Sequence, residues 1–293
     1  MTQKRVVVDF DNTMGVKGCD IDDGLALLFL LGSPSPVRIE AVCTTYGNSD
    51  IRTVGAATAR LLEALAAAGE DIPVYEGAPS ADSADGDAAR FLARTAAENP
   101  GEIHVLALGS LTNVRGAAEE DPSFFANLAG ITLMGGITES LAINGIIMDE
   151  LNLSCDPAAT RAVLQASCPV SIATSHNCLP AQFSLDDFRQ AFGEDSWVHR
   201  TCSYWFDDMM ERYESRTFVC WDVVAAAALA RPDLFERKLL NVALNDRLLG
   251  VGYLEAARTG VPQAQVCAPK IVDAERFRAE VLAAWKFMSD RLV

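Results

Sequence analysis

"VVVDFDNTMGVKGCDIDDGLALLFLLG", residues 6–32, decides how the rest of the chain is read. An apolar, β-branched run of the kind buried on both faces of a sheet leads into an apolar helical run. Between them stand five carboxylates: Asp9, Asp11, Asp20, Asp22 and Asp23. Acids at that density repel one another, so the stretch calls for something positive among them. Helix capping by Asp22 or Asp23 would account for one or two. It leaves Asp9, Asp11 and Asp20 unexplained.

Outward from this stretch the same alternation recurs. "IEAVCTTYG" is followed by "DIRTVGAATARLLEALAAAG", "IHVLALG" by "SLTNVRGAAEE", and "GITLMGG" and "PVSIATS" read as two further strands. Strands alternating with helices predict an α/β fold: a single open, mostly parallel sheet with helices on both faces. Asp156 before "PAATRAVLQA" marks a helix start with proline at its first position, and "SLDD" at 184–187 has capping-box form. Pro122, Pro169 and Pro232 each stop a helical run. The polar stretch 78–87 reads as a surface loop, and nothing divides the chain, so residues 1–293 are expected to form one domain. In such sheets ligands bind beyond the carboxyl ends of the strands. The acids fall on that rim, together with Thr44, Thr45, Asn48, Gly109, Ser110, Met134 to Gly136 and Ser175 to Asn177.

A formal net charge of −16 disfavours nucleic acid and anionic membranes as partners. The start "MTQKRVVVDFD" enters a strand without a secretory h-region, and no apolar run reaches membrane-spanning length, so a cytoplasmic location is expected. The eight cysteines form no CxxC pair and read as small buried hydrophobes. His104, at the start of an apolar strand, reads as structural.

Several blocks taken in order resemble the nucleoside hydrolases of the inosine-uridine-preferring type. They are "DFD" with "DIDDGLALLFLLG", "AVCTTYGN" at 41–48, "PVYEGA" at 73–78, "LALGSLTNV" at 106–114, "ITLMGG" at 131–136, "DELNLSCDPAATRAVL" at 149–164 and "WDVVAAAALARPDLF" at 221–235. The resemblance implies calcium-dependent hydrolysis of ribonucleosides by a homodimer or homotetramer. It implies Asp11, Asp23, Asp222 and the main-chain carbonyl of Leu108 as calcium ligands, with Asp11 also the general base. Asp22, Asn48 and Asn152 match residues on the 2′- and 3′-hydroxyls, Asn144 and Glu150 those near the 5′-hydroxyl and ring oxygen, and Met134 one lining the sugar. Trp221 stands where many members carry histidine, as in the purine-preferring branch, which stacks the base on indole. Its bland alternative is a packing residue beside the site. The chemistry agrees: an oxocarbenium-like sugar is stabilised by clustered oxygens, and a water next to a cation yields its proton more easily to a carboxylate.

One departure stands in the opening stretch. The family has three residues between the first metal-binding Asp and the Asp-Asp pair, whereas ten, 12–21, separate Asp11 from Asp22. Gly15 and Gly18 would let the surplus bulge as a loop, and Asp20 offers an alternative register for the base. Two rival readings follow. "VVVDFDNT" also fits the first motif of haloacid-dehalogenase-like phosphatases, with Asp9 as nucleophile and Asp11 as acid. The insertion also admits a nucleoside-binding protein without turnover. "CSYWFDDMMERYESRTF" at 202–218, carrying Tyr204, Trp205 and Tyr213, reads either as the apolar face of a helix or as a lid over the base.

Overall fold

Residues Val6, Val7, Val8 and Phe10 have no solvent exposure, because strand β1 (Lys4–Phe10) lies at the centre of an eight-stranded sheet. The structure, a computed structural model, describes residues 3–34, 37–257 and 263–292. The other strands of this sheet are β2 (Val37–Thr44), β3 (Val74–Tyr75), β4 (Ile103–Ala107), β5 (Gly130–Met134), β6 (Val170–Ala173), β7 (Phe235–Val242) and β8 (Ala264–Ile271). Their spatial order is β7-β8-β6-β5-β4-β1-β2-β3. All pairings are parallel except β7 with β8. The expected open, mostly parallel sheet is therefore present, with an antiparallel pair at one edge.

Helices cover both faces. Alternate residues of β1 divide between two cores, Val6, Val8 and Phe10 facing one and Val7 the other. On the first face pack α1 (Asp22–Gly32) and α2 (Ile51–Ala67). On the second are α3 (Asp87–Glu98), α4 (Thr112–Glu120) and α5 (Pro157–Leu164). The first face continues with α6 (Tyr204–Tyr213), α7 (Trp221–Ala230) and α8 (Ala274–Ser289). Two short antiparallel ribbons, 142–143 with 146–147 and 182–184 with 217–219, lie outside the main sheet. The capping readings hold: the Asp156 side chain accepts from the Ala159 amide, and Ser184 and Asp187 close a reciprocal capping box. Among the described residues no helix is long and apolar enough to cross a membrane.

Helix α1 positions the acids, so its seating matters. It is buried from Asp22 to Leu30 and lies between α7 and α8. The indole of Trp285 in α8 donates to the Leu25 carbonyl at 3.0 Å. At Gly32 the helices approach so closely that a β-carbon would sit 2.1 Å from the Ala284 carbonyl oxygen. Gly32→Ala must push α8 away from α1, at a cost of about 1–3 kcal/mol. A urea titration of the variant reads this as a lower midpoint with an unchanged slope.

Candidate active site

The chain runs from β1 to β2 and β3 on one side and then returns to place β4 on the other. That reversal opens a crevice beyond the carboxyl ends of β1 and β4, the usual ligand position in such sheets. Asp11 follows the end of β1 directly and has no solvent exposure. Gly47 and Gly109 let the neighbouring loops close around its carboxylate. A β-carbon at 47 would fall 1.9 Å from Asp11 Oδ2, and one at 109 would fall 2.9 Å from Asp11 Cγ. The Asn48 amide donates to Asp11 Oδ2 at 2.6 Å, and Asn48 Nδ2 reaches Asp11 Oδ1 at 3.2 Å and Asp23 Oδ2 at 3.3 Å.

The ten residues between Asp11 and Asp22 form an excursion that closes on itself. Thr13 Oγ1 donates to the Asp20 carbonyl at 2.8 Å, pinching its neck. Within it Val16 N bonds Thr13 O and Cys19 N bonds Val16 O, while Gly15 and Gly18 take left-handed φ of 85° and 83°. The surplus chain therefore projects outward, and Asp22 returns to Asp11 as if the connection were short. Helix α6 holds the excursion from outside. Tyr204 Oη donates to the Cys19 carbonyl at 3.2 Å, Asp208 Oδ2 accepts from the Gly18 amide at 3.0 Å, and Arg212 Nη2 donates to the Gly18 carbonyl at 2.5 Å. Positions 204, 208 and 212 are spaced four apart and share one helix face.

Asp22 and Asp23 lie in the first turn of α1, yet Ile21 is its cap residue and no side chain caps it. Instead Asp22 Oδ2 accepts from the Asp222 amide at 3.0 Å, at the start of α7, and Asp23 Oδ1 accepts from the Asp11 amide at 3.2 Å. Two helix starts thus face one point, a favourable field for the carboxylates gathered there. Carboxylate oxygens of Asp22, Asp23 and Asp222 all lie within 4.8 Å of one another. Burial, and then repulsion by the other acids, drives the carboxyls of Asp23 and Asp222 well above the usual range. Burial likewise raises Asp22, and lifts Asp11 to about 7 against its bonds from Asn48. Among the described residues no lysine or arginine pairs with any of these four.

A hard divalent cation fits this donor set. Two oxygens bound at about 2.3–2.6 Å to one ion stand at most about 5 Å apart, and several anionic oxygens are its preferred ligands. Asp22, matched by the resemblance to the ribose hydroxyls, thus also stands where it could ligate such a cation. Asp11 adjoins the cluster through Asp23 and Asn48.

Above these acids lies a cavity of about 330 Å³ lined by Asp22, Asn48, Leu108, Met134, Glu150, Asn152, Trp221 and Asp222 among the expected residues. Asn152 Nδ2 donates to the carbonyls of Leu108, at 2.8 Å, and Met134, at 3.2 Å, tying the ends of β4 and β5. Glu150 accepts from the amides of Gly136, Leu153 and Ser154, so its carboxylate also builds the loop that holds it. Asn144 is placed differently from the expectation. It is exposed at the tip of the 142–147 ribbon, with φ of 49°, outside the cavity lining. Its amide is engaged by the carbonyls of Tyr213 and Glu214, at 2.9 and 3.1 Å. It fastens the rim to the end of α6.

Asp9, the nucleophile of the phosphatase reading, has no exposure and does not line the cavity. Its Oδ1 accepts from Asn113 Nδ2 at 2.7 Å beneath the site, and burial lifts its carboxyl to about 7. Asp11 and Asp23 are equally buried and likewise do not line the cavity, but they adjoin acids that do, whereas Asp9 is bonded to Asn113. Asp20 and Cys19 do line the cavity, through the excursion. From α6 come Trp205, Met209, Arg212 and Tyr213, of which Met209 and Arg212 had not been singled out. The spacing 205, 209, 212, 213 is one helical stripe, and that periodicity was the available signal.

Comparison with known proteins adds the following. The family profile described as inosine-uridine preferring nucleoside hydrolase matches residues 6–279. A uridine nucleosidase 1 of Arabidopsis thaliana is 27% identical over 265 residues, 80% of this chain and 78% of its own. A solved plant nucleoside hydrolase superposes with a TM-score of 0.82 at 23% identity, covering 97% of this chain and 99% of that one. A purine-preferring ribonucleoside hydrolase from Gardnerella vaginalis gives 0.81 at 18% identity, over 98% and 99%.

Proposed function

Because the chain belongs to the inosine-uridine preferring nucleoside hydrolase family and is a nucleoside hydrolase, we propose that it uses calcium to cleave ribonucleosides, purine ribonucleosides foremost, into free base and ribose. The observation that carries this reading is the union, in one cavity, of a buried carboxylate floor and a wall of aromatic and apolar side chains from α6 and α7. A sugar diol needs the first, and a leaving base the second.

Asp23, Asp222 and the Leu108 carbonyl, with Asp22 and Asp11 beside them, would hold the ion. Bound calcium supplies positive charge that orders the attacking water and the ribose diol and eases the loss of a proton. Asp11 takes that proton as general base. Asp22, Asn48 and Asn152 grip the 2′- and 3′-hydroxyls, Glu150 lies toward the 5′-hydroxyl, and Met134 lines the sugar. As the C1′–N bond breaks, its electron pair leaves with the base, and the positive sugar faces the carboxylates. A 2′-deoxy sugar leaves the diol-binding groups unpaired and reacts slower by orders of magnitude.

Trp221, on the cavity wall at the first turn of α7, offers its ring to the base. A two-ring purine covers more of it than a pyrimidine does, which supports the purine preference. The name of the Arabidopsis relative favours a second reading, preference for uridine. Ribose release from inosine, guanosine, adenosine, uridine and cytidine, with and without a calcium chelator, tests the proposal. A generic phosphate ester serves as control substrate. Ribose must appear in calcium and vanish with the chelator; phosphate release without ribose release sinks the reading. Trp221→Ala is expected to lower kcat/KM for inosine about 10–100-fold and for uridine less, on the scale of one lost stacking partner. Equal losses on both would remove stacking as the source of preference.

A further inference from the structure

A second cavity, of about 230 Å³, lies on the first face of the sheet near the amino ends of the parallel strands, away from the acids at their carboxyl ends. Lys4 of β1, His104 of β4, Thr132 of β5 and Ser171 of β6 line it. Each stands two positions before a residue of the first core, respectively Val6, Leu106, Met134 and Ala173, and so shares its side of the sheet. Across four neighbouring strands the apolar floor of that core thus gives way to an ammonium, an imidazole and two hydroxyls. Arg237 of β7 adds a guanidinium, and no aspartate or glutamate is among the lining residues. The chain as a whole carries a net charge of −16, so a spot of the opposite character stands out.

These groups lack partners. Among the described residues neither Lys4 nor Arg237 forms an ion pair, and the side chains of His104, Thr132, Ser171 and Arg237 make no hydrogen bond. Thr132 is 6% exposed overall, and its partnerless hydroxyl is not among the atoms sealed from solvent, so it opens on the cavity. Lys4 Nζ donates to the Leu229 carbonyl at 2.6 Å. That bond caps the carboxyl end of α7, where a cation is favoured. Capping accounts for Lys4 and leaves His104, Arg237 and the two hydroxyls unexplained. Burial lowers the pKa of Lys4, and burial together with the Lys4 charge lowers that of His104. An anion placed between them relieves both.

We infer that this cavity binds the phosphate group of a small molecule, at the opposite end of the sheet from the nucleoside pocket. Phosphate fits the donor set better than a carboxylate does. Its oxygens point in tetrahedral directions and can meet donors from several strands at once, whereas a carboxylate offers two oxygens in one plane. Arg237 supplies the planar fork that suits two phosphate oxygens, and Lys4 a point charge with two N–H donors beyond the one spent on Leu229. Thr132 and Ser171 donate through their hydroxyls. The volume falls below the roughly 300–1,000 Å³ of pockets for drug-sized ligands, so the occupant is inorganic phosphate or a short phosphate monoester and not a nucleotide. The inference stands apart from the proposed hydrolysis, since none of these side chains lines the active-site cavity.

Isothermal titration calorimetry of the calcium-loaded protein with inorganic phosphate and with glycerol 3-phosphate, in chloride buffer at physiological ionic strength, tests this. Saturable binding of one anion per chain is expected. Arg237→Gln is expected to weaken it about 10–100-fold, the worth of hydrogen bonds to a charged group. Arg237→Lys keeps the charge without the fork and should recover part of the loss. Thr132→Val, which removes one hydroxyl, is expected to weaken binding about 2–10-fold. Arg237 is exposed on an edge strand, so its substitution leaves the fold intact, and melting temperatures verify this for every variant. Tighter binding of glycerol 3-phosphate would identify a monoester as the occupant, and tighter binding of inorganic phosphate the free ion; both support the site. Absence of saturable binding by either would overturn the inference and reduce Lys4 to a cap for α7. Binding that is equal in wild type, Arg237→Gln and Thr132→Val would overturn it too, by placing the anion on the calcium or elsewhere on the surface.

Discussion

Asp222→Asn is expected to leave the calcium-free protein as stable as the wild type or more so, to abolish the rise in melting temperature on adding calcium, and to cut ribose release about 10³-fold or more. The first part follows from the sign of the carboxyl shifts. Asp22, Asp23 and Asp222 bind their protons more tightly in the fold than their ordinary value of 3.8, chiefly through burial. Above about that pH the folded state holds more protons than the unfolded one, so stability falls as pH climbs. Each ionised acid thus opposes folding until a cation joins it, and an amide at 222 lifts part of that burden. The second part is linkage. A cation bound to the fold alone adds about 2.7 kcal/mol at a hundred times its dissociation constant, and the variant forfeits this. The third part is the several kcal/mol of charge stabilisation a metal site supplies, at about 1.36 kcal/mol per tenfold. Thermal melts across calcium concentrations, with chelator as zero, decide it. A variant that still gains stability from calcium would place the ion elsewhere.

The second large effect concerns Asp11. Asp11→Asn is expected to lower kcat about 10²–10⁴-fold, the ordinary worth of a general base. Calcium affinity and KM should change much less than in Asp222→Asn. The separation follows from the geometry. The three acids whose oxygens converge most closely do not include Asp11, whose carboxylate is instead gripped by the Asn48 backbone amide and side chain. An asparagine keeps one oxygen for the Asn48 amide but has no place for a proton from water. Steady-state ribose release with calcium titrated independently separates the two variants. Activity within about tenfold of wild type would assign the base to another group.

Much of the fold was legible because β1, β4, β5, β6 and the second half of β2 are mostly buried and so read as largely apolar runs. Strand β7, "FERKLLNV", lies at the edge with most of its residues exposed, and its weak pattern kept the antiparallel end of the sheet hidden. The acids were legible as a cluster since five lie within 15 positions, 9–23. Asp222, which joins Asp11, Asp22 and Asp23 at the site, was reachable only through the resemblance, because nothing local relates it to residues two hundred positions earlier. The resemblance matched Asn144 to the sugar, but the acceptors its amide uses belong to the end of α6, a tertiary neighbour invisible in the chain. The excursion of ten residues looked like an obstacle to bringing Asp11 and Asp22 together. The Thr13–Asp20 bond and the grip of α6 dissolve that difficulty, and both are contacts that spacing alone does not report.

The pairing of Asp22 with the start of α7 also bears on biosynthesis. Asp11, Asp22 and Asp23 emerge from the ribosome early, while Asp222, whose amide meets Asp22, emerges when three quarters of the chain has been made. The neighbours that bury α1 come later still, since α7 and α8 close around it and Trp285 is its hydrogen-bond partner. Chains fold in part from the amino end as they are made. Here that end carries a set of mutually repelling acids and an apolar helix whose partners do not yet exist. The four acids therefore come together only after α7 has been made, and a polypeptide truncated before α7 keeps three of them without the site.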